Sequence, residues 1–282
     1  MGHPSQDHLD DHDRGLAFDL GTLIERRRVL GLVGLAGTSA FLAACNFSFG
    51  GEKNKTGTAA DGSVCLKDPV ETNGPFPADG SNSKNGAVQN VLTQSGVMRQ
   101  DVRTSFAGMT PVADGTQLDL TFTLVDVAKA CALKAGHVVY IWHCDAEGRY
   151  SLYDTTDRNY LRGVGVTDDK GTVKFTTVFP GCYAGRWPHI HFEVFADQKS
   201  AVNGSGSLLV SQFALPGDVA KALYSGNPIY AASISNFSGM SMEKDMVFSD
   251  NTAEQRAVLS LKLAGDAAAG FKGMGTIGIV SA

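Results

Sequence analysis

Leu118-Asp119-Leu120-Thr121-Phe122-Thr123-Leu124 alternates an apolar with a polar side chain at every step. Successive side chains of a strand point to opposite faces of the sheet, so this stretch reads as a half-buried β-strand. Outward from it, Val138-Val139-Tyr140-Ile141-Trp142 is a β-branched and aromatic run expected to be buried on both faces. Asp168-Asp169-Lys170-Gly171 is a turn leading into a strand over Thr172–Phe179, which Pro180-Gly181 stops. His189–Phe195 and Ser207–Ala214 read as further strands, and helix is confined to Ala220–Tyr224 and Ala253–Leu259. The expectation is an all-β fold, a β-sandwich of mixed sheets with long loops and few short helices; a barrel is the alternative closure. No phosphate loop, dinucleotide fingerprint or Gly-x-Ser-x-Gly elbow is present.

Composition agrees with a loop-rich globular domain. The 282 residues include 24 Lys+Arg and 29 Asp+Glu, a formal net charge of −5 that gives no global attraction to nucleic acid. With 43% hydrophobic residues and 33 glycines, the chain is neither disordered nor a coiled coil.

The N-terminal stretch reads as an address rather than as fold. Arg26-Arg27-Arg28 precedes an uncharged apolar run, Val29–Leu42, and then Ala43-Ala44-Cys45. That order is the order of a secretory signal, and the run is shorter than the roughly 20 residues that span a bilayer. The arginines resemble a twin-arginine signal, and Leu42-Ala43-Ala44-Cys45 resembles a lipobox whose cysteine is acylated after cleavage. A plain secretory signal with an accidental cysteine is the alternative. Residues 1–44 are therefore expected to be a signal peptide, 45–63 a flexible tether, and 64–282 a single domain. The expected location is the cell envelope outside the cytoplasm, with the membrane held through Cys45. In an oxidising compartment, Cys65, Cys131, Cys144 and Cys182 allow two disulfides in any of three pairings.

Past the signal, the histidines are His137, His143, His189 and His191. On a strand, His189 and His191 face one side, while Ile190, Phe192 and Val194 face the other. Two imidazoles so placed are spaced to share a metal ion. Glu193 lies on the same face, which leaves a facial triad of two histidines and a carboxylate open. Cys144 and Cys182 are further candidate ligands, as are Tyr150 and Tyr183. A phenol ionises near pH 10, so its ligation at neutral pH needs a hard, highly charged cation, and Fe(III) answers that better than Zn(II). An isolated tyrosine is ordinarily a core ring with a hydrogen-bonded hydroxyl, and His143 reads as a core histidine.

Four stretches together carry a family resemblance. Ile141-Trp142-His143-Cys144-Asp145-Ala146-Glu147-Gly148-Arg149-Tyr150-Ser151, Leu161-Arg162-Gly163, Pro180-Gly181-Cys182-Tyr183-Ala184-Gly185-Arg186-Trp187-Pro188-His189-Ile190-His191 and the earlier Glu71-Thr72-Asn73-Gly74-Pro75 resemble the intradiol ring-cleavage dioxygenases. The resemblance implies a β-sandwich holding non-haem Fe(III) on Tyr150, Tyr183, His189 and His191. It further implies a catechol and O2 as substrates, with ring opening between the hydroxylated carbons to a cis,cis-muconate-type diacid. Tyr183 would leave the metal and act as a base, and Arg186 and Gln212 would stabilise charge on the opening ring. Cys182, Gly165 and Phe76-Pro77 depart from the family pattern and are expected to line or back the pocket, bearing on substrate choice. The helical dimerisation segment of the cytoplasmic relatives has no counterpart, so the resemblance does not specify the oligomeric state. The competing function is a non-catalytic β-sandwich lipoprotein that binds an aromatic or carbohydrate ligand.

Overall fold

The computed structural model describes residues 55–202 and 206–281. The signal peptide, the lipobox, Cys45 and most of the tether lie outside the described residues. Strands and short helices follow one another as β1 (Thr56–Thr58), β2 (Val64–Leu66), β3 (Asp79–Lys84), β4 (Ala87–Asn90), β5 (Gln117–Asp126), β6 (Ala132–Leu133), β7 (Val138–Trp142), β8 (Arg162–Val166), β9 (Thr172–Val178) and β10 (His189–Phe195). Then come α1 (Gln198–Val202), β11 (Ser207–Ala214), α2 (Gly217–Gly226), α3 (Ala231–Phe237), α4 (Ala253–Leu259), β12 (Lys262–Asp266) and β13 (Gly270–Ile279).

Two sheets form the sandwich. One is antiparallel in the order β11-β10-β7-β8; the other is mixed, in the order β12-β13-β5-β6, with β9 also on β5. β13 lies parallel to β5 and antiparallel to β12. The alternation read in Leu118–Leu124 places Leu118, Leu120, Phe122 and Leu124 in the core between the sheets, where they meet Val139, Ile141, Ile190, Phe192, Val194 and Phe213. Phe213 stacks on both Phe122, at 4.9 Å between ring centroids, and Phe192, at 4.6 Å. Ring pairs of this kind add roughly 0.5–1.5 kcal/mol beyond area burial.

The opposite face of the antiparallel sheet has a core of its own. Val138, Tyr140, Trp142, Val164 and Phe195 are covered there by Ala78, Val91, Leu92, Phe106, Tyr150 and Tyr153, which come from loops and strand ends. The all-β expectation and its strands hold, and β10 and β11 have the expected bounds. Helix is more extensive than the two segments read from sequence. α3, Ala-Ala-Ser-Ile-Ser-Asn-Phe, follows two alanines with residues of modest helix propensity and forms where Tyr230 and Phe237 dock onto the sandwich.

Two readings need adjustment. The segment read as a tether includes a strand near its end, because Thr56–Thr58 pairs with Val64–Leu66 and Gly57 packs against the Val127 carbonyl. The four cysteines do not form two bridges. Cys65 is bonded to Cys131, whereas Cys144 and Cys182 are buried free thiols. Each thiol is turned onto a carbonyl, Cys144 onto Gly181 and Cys182 onto Arg186. Among the described residues no helix is long and apolar enough to cross a membrane.

The bridge spans a sequence separation of 66 residues. Closing a loop of that length restricts the unfolded chain, so replacing both cysteines by alanine is expected to remove about 2–4 kcal/mol. Urea unfolding measures this, and a midpoint equal to wild type would show that the bridge constrains nothing.

Candidate metal centre

The strand period decides where the histidines go. With Ile190, Phe192 and Val194 committed to the inter-sheet core, His189 and His191 face the loop-covered side of the sheet. In that row β7 sets Trp142, and β11 sets Gln212, directly opposite His191. The Trp142 and His191 rings stack at 4.8 Å with planes 8° apart, which fixes the imidazole plane.

Two loops bring the tyrosines to the same place. After β7 the chain turns on Asp145, whose carboxylate accepts the backbone N–H groups of Glu147 (2.9 Å) and Arg149 (3.0 Å). Tyr150 follows, its own N–H donating to Asp154. Arg162, fully buried at the start of β8, laces this loop down. It donates to the Ser151 carbonyl and hydroxyl and to the Pro77 carbonyl, each at 3.0 Å. The second loop carries Cys182 and Tyr183 and is braced by α3, where Ser233 accepts from the Cys182 N–H at 2.8 Å and Asn236 donates to its carbonyl at 2.9 Å. The loops cross at two glycines. A β-carbon at Gly181 would strike the Ala146 carbonyl oxygen, and one at Gly148 would press on Cys182 and Tyr183.

The four tips converge. The Tyr150 hydroxyl lies 3.3 Å from that of Tyr183, 3.4 Å from His189 Nε2 and 3.2 Å from His191 Nε2. Tyr183 is 3.2 Å from His189 Nε2, and the two Nε2 atoms are 3.1 Å apart. The His189 Nδ1–H donates to the Trp187 carbonyl, which leaves its Nε2 with a lone pair turned inward. Three tips at most then carry a proton, too few to make all five contacts conventional hydrogen bonds. A single cation held between the four tips would satisfy all of them at once. The donor set fits such an ion, because two phenol oxygens and two neutral imidazoles are hard-to-intermediate ligands.

Burial sets the protonation of the bare cluster. It pushes both phenols upward, that of Tyr150 further by the neighbouring Tyr183. It pulls both imidazoles downward, so they stay neutral, the ligating form. Among the described residues no group of three or more His, Cys, Asp or Glu side chains gathers to hold a metal. The alternatives that used Glu193, Cys144 or Cys182 as ligands are therefore not realised. Glu193 shares the histidines' face, but its buried Oε2 has no hydrogen-bond partner.

Arg186 and Gln212 flank the cluster. Arg186 Nη1 is 3.4 Å from the Tyr183 oxygen, its Nη2 donates to Gln212 Oε1, and its Nε donates to Asp245 at 3.0 Å. Gln212 Nε2 donates to the Thr72 carbonyl at 2.8 Å, so both ends of this amide are engaged within the protein. Gly74, in the same loop as Thr72, lies over His191, where an added β-carbon would sit 3.4 Å from Cε1. Of the positions that depart from the family pattern, Phe76 packs at a tilt against Tyr150, 5.1 Å between ring centroids, and Cys182 backs Arg186. Gly165 is elsewhere, against Val173 and Phe175 in the inter-sheet core. His143 is a buried core residue, bonded to the Cys144 carbonyl and to Thr177 Oγ1. Trp142, Arg162, Thr72 and Asp245 were not singled out as site residues from sequence, since each reaches the cluster only through strand register or a distant loop.

A family model described as dioxygenase matches residues 91–223. That stretch includes Tyr150, Tyr183, Arg186, His189, His191 and Gln212. The fold is similar to that of an intradiol ring-cleavage dioxygenase from Tetranychus urticae, at 24% identity over 77% of this chain and 95% of that one, with a TM-score of 0.57. A second dioxygenase crystal structure is similar at 25% identity over the same shares, also with a TM-score of 0.57. No curated protein matches the chain.

Glu71, beside this site, accepts from Asn251 Nδ2 at 2.8 Å. Burial, with Asp250 adding to it, raises its carboxyl to about 7. The folded state therefore binds more protons than the unfolded one between about pH 4.3 and 7, and stability falls as pH rises through that window. Glu71→Gln is expected to be about 2 kcal/mol more stable than wild type at pH 8 and no more stable at pH 4. Urea melts at the two pH values test this; an equal effect at both would refute it.

Proposed function

We propose that the protein is an Fe(III)-dependent intradiol dioxygenase that opens a catechol-type ring with O2 to a cis,cis-muconate-type diacid. What supports the reading is the meeting of Tyr150, Tyr183, His189 and His191 at 3.1–3.4 Å, a donor set suited to a hard trivalent ion. When bound, ferric iron supplies the Lewis acidity that keeps the phenols ionised and draws electron density from the catechol, exposing its ring to O2.

The chain's own groups divide the remaining work. Tyr150 is almost fully buried and packed against Phe76, which in turn lies against Tyr153, so it stays in place. Tyr183 is only partly buried, and we assign it as the phenol that swings aside. Its oxygen accepts a proton from an arriving catechol hydroxyl, and Arg186 Nη1 remains beside that oxygen to steady it. The guanidinium, fixed in advance with its Nη2 anchored on Gln212, also faces charge that develops as the ring loses aromaticity. Gly74 leaves clear the space over His191 that a side chain would fill. We further propose export with a lipid on Cys45, a reading that rests on the order of Arg26–Arg28, Val29–Leu42 and Ala43-Ala44-Cys45. Palmitate labelling in a bacterial host is expected for the full chain and lost in Cys45→Ser.

The protein loaded with ferric iron is expected to be red-brown and to consume O2 with at least one of catechol, protocatechuate, hydroxyquinol or larger catechols, yielding ring-opened diacid. Chelation of the iron should remove colour and turnover together. Tyr183→Phe is expected to shift the visible band and slow turnover by roughly tenfold or more. An unchanged band would remove Tyr183 from the centre. A colourless, iron-free protein that still bound aromatic ligands would support the non-catalytic reading instead.

A further inference from the structure

Asp245 lies past the stretch matched by the dioxygenase model, on the loop after α3, yet it is fully buried against the candidate centre. Its Oδ1 accepts the N–H groups of Val247 (2.8 Å) and Phe248 (2.9 Å), which clamp the carboxylate to its own turn. Its Oδ2 accepts Arg186 Nε–H at 3.0 Å and also the Trp187 N–H. Burial works against a charge here, but Arg186 holds the Asp245 carboxyl below the usual carboxylate range.

We propose that Asp245 is the positioning residue that sets the orientation of Arg186, and with it the guanidinium edge turned toward Tyr183. The inference rests on the ring-cleavage reading for its consequence, though not for its geometry. A guanidinium is a rigid planar fork. With Nε held by Asp245 and Nη2 held by Gln212, Nη1 is aimed at the Tyr183 oxygen and the plane has no freedom to turn. Asp245 also supplies the anion that a cation only 5% exposed requires, since a buried charge without a partner is strongly disfavoured. Through the Trp187 N–H the same carboxylate fixes the backbone just before His189, whose Nδ1–H bonds the Trp187 carbonyl. One side chain thereby sets both the cation beside Tyr183 and the backbone acceptor that orients an imidazole.

The test uses Asp245→Asn, which keeps the shape and removes the charge. In the iron-loaded protein kcat is expected to fall roughly ten- to hundredfold, with KM within about threefold of wild type and the visible band retained. In an Arg186→Gln background the same change is expected to alter kcat by less than about twofold, because the group it positions is gone. In iron-free protein, NMR exchange of the Arg186 Nε–H with solvent is expected to quicken by about tenfold or more. Wild-type kcat with wild-type exchange would overturn the proposal. So would an equal loss in both backgrounds, which would mean that Asp245 acts on the fold alone. Should Asp245→Asn fail to fold, Asp245→Glu moves the charge by one methylene and is read in the same way. If wild type cleaves no catechol, the ring-cleavage reading falls, while the exchange measurement still decides whether Asp245 holds Arg186.

Discussion

The period of two along β10 is the constraint on which the rest of the molecule depends. Its even-numbered side chains enter the apolar interior of the sandwich, so its odd-numbered ones have no choice but the other face. A slip of one residue would bury both imidazoles among phenylalanines and turn isoleucine toward the tyrosines. Each stacked ring that holds Ile190, Phe192 and Phe213 in place therefore also holds the imidazoles. Stability of the sandwich and geometry of the centre are two readings of one register.

Around that fixed pair everything else is brought in by loops, and each loop is tied by polar contacts as well as by apolar packing. Arg162 fastens the Tyr150 loop, Ser233 and Asn236 fasten the Tyr183 loop, and Gln212 fastens the segment beginning at Thr72. Such ties suit a site whose own tips are polar and close to one another. Four polar tips at such short range compete for few protons, and lacing keeps the loops from relaxing apart. The lacing comes from three separate elements, β8, α3 and β11.

Much of this was legible in the amino-acid order. The alternation in Leu118–Leu124 and the apolar run at Val138–Trp142 are local signals, and the strands formed where they were read. The four converging side chains were named from their chemistry and from the family resemblance. What escaped reading depends on distance along the chain. Arg186 and Asp245 are 59 residues apart, and nothing in Ser241–Met246 announces a partner. Trp142 meets His191 only through the pairing of β7 with β10. Gln212, expected beside a substrate, has each end of its amide occupied by protein, which only the packed loops decide. The cysteine pairing is of the same kind, since four residues permit three arrangements and the fold uses one bridge.

The placement of β13 has a consequence for how the molecule comes into being. This strand, Gly270–Ile279, is the last in chain order among the described elements, yet it sits inside the mixed sheet between β12 and β5. Until it leaves the ribosome, β5 offers one bare edge along its length, and an unpaired apolar edge invites neighbouring nascent chains to add to it. Closure of the mixed sheet thus waits for a strand made after every other described element. A translation product that stopped before β13 would already carry Tyr150, Tyr183, His189 and His191, yet still lack the strand that completes the sheet behind them.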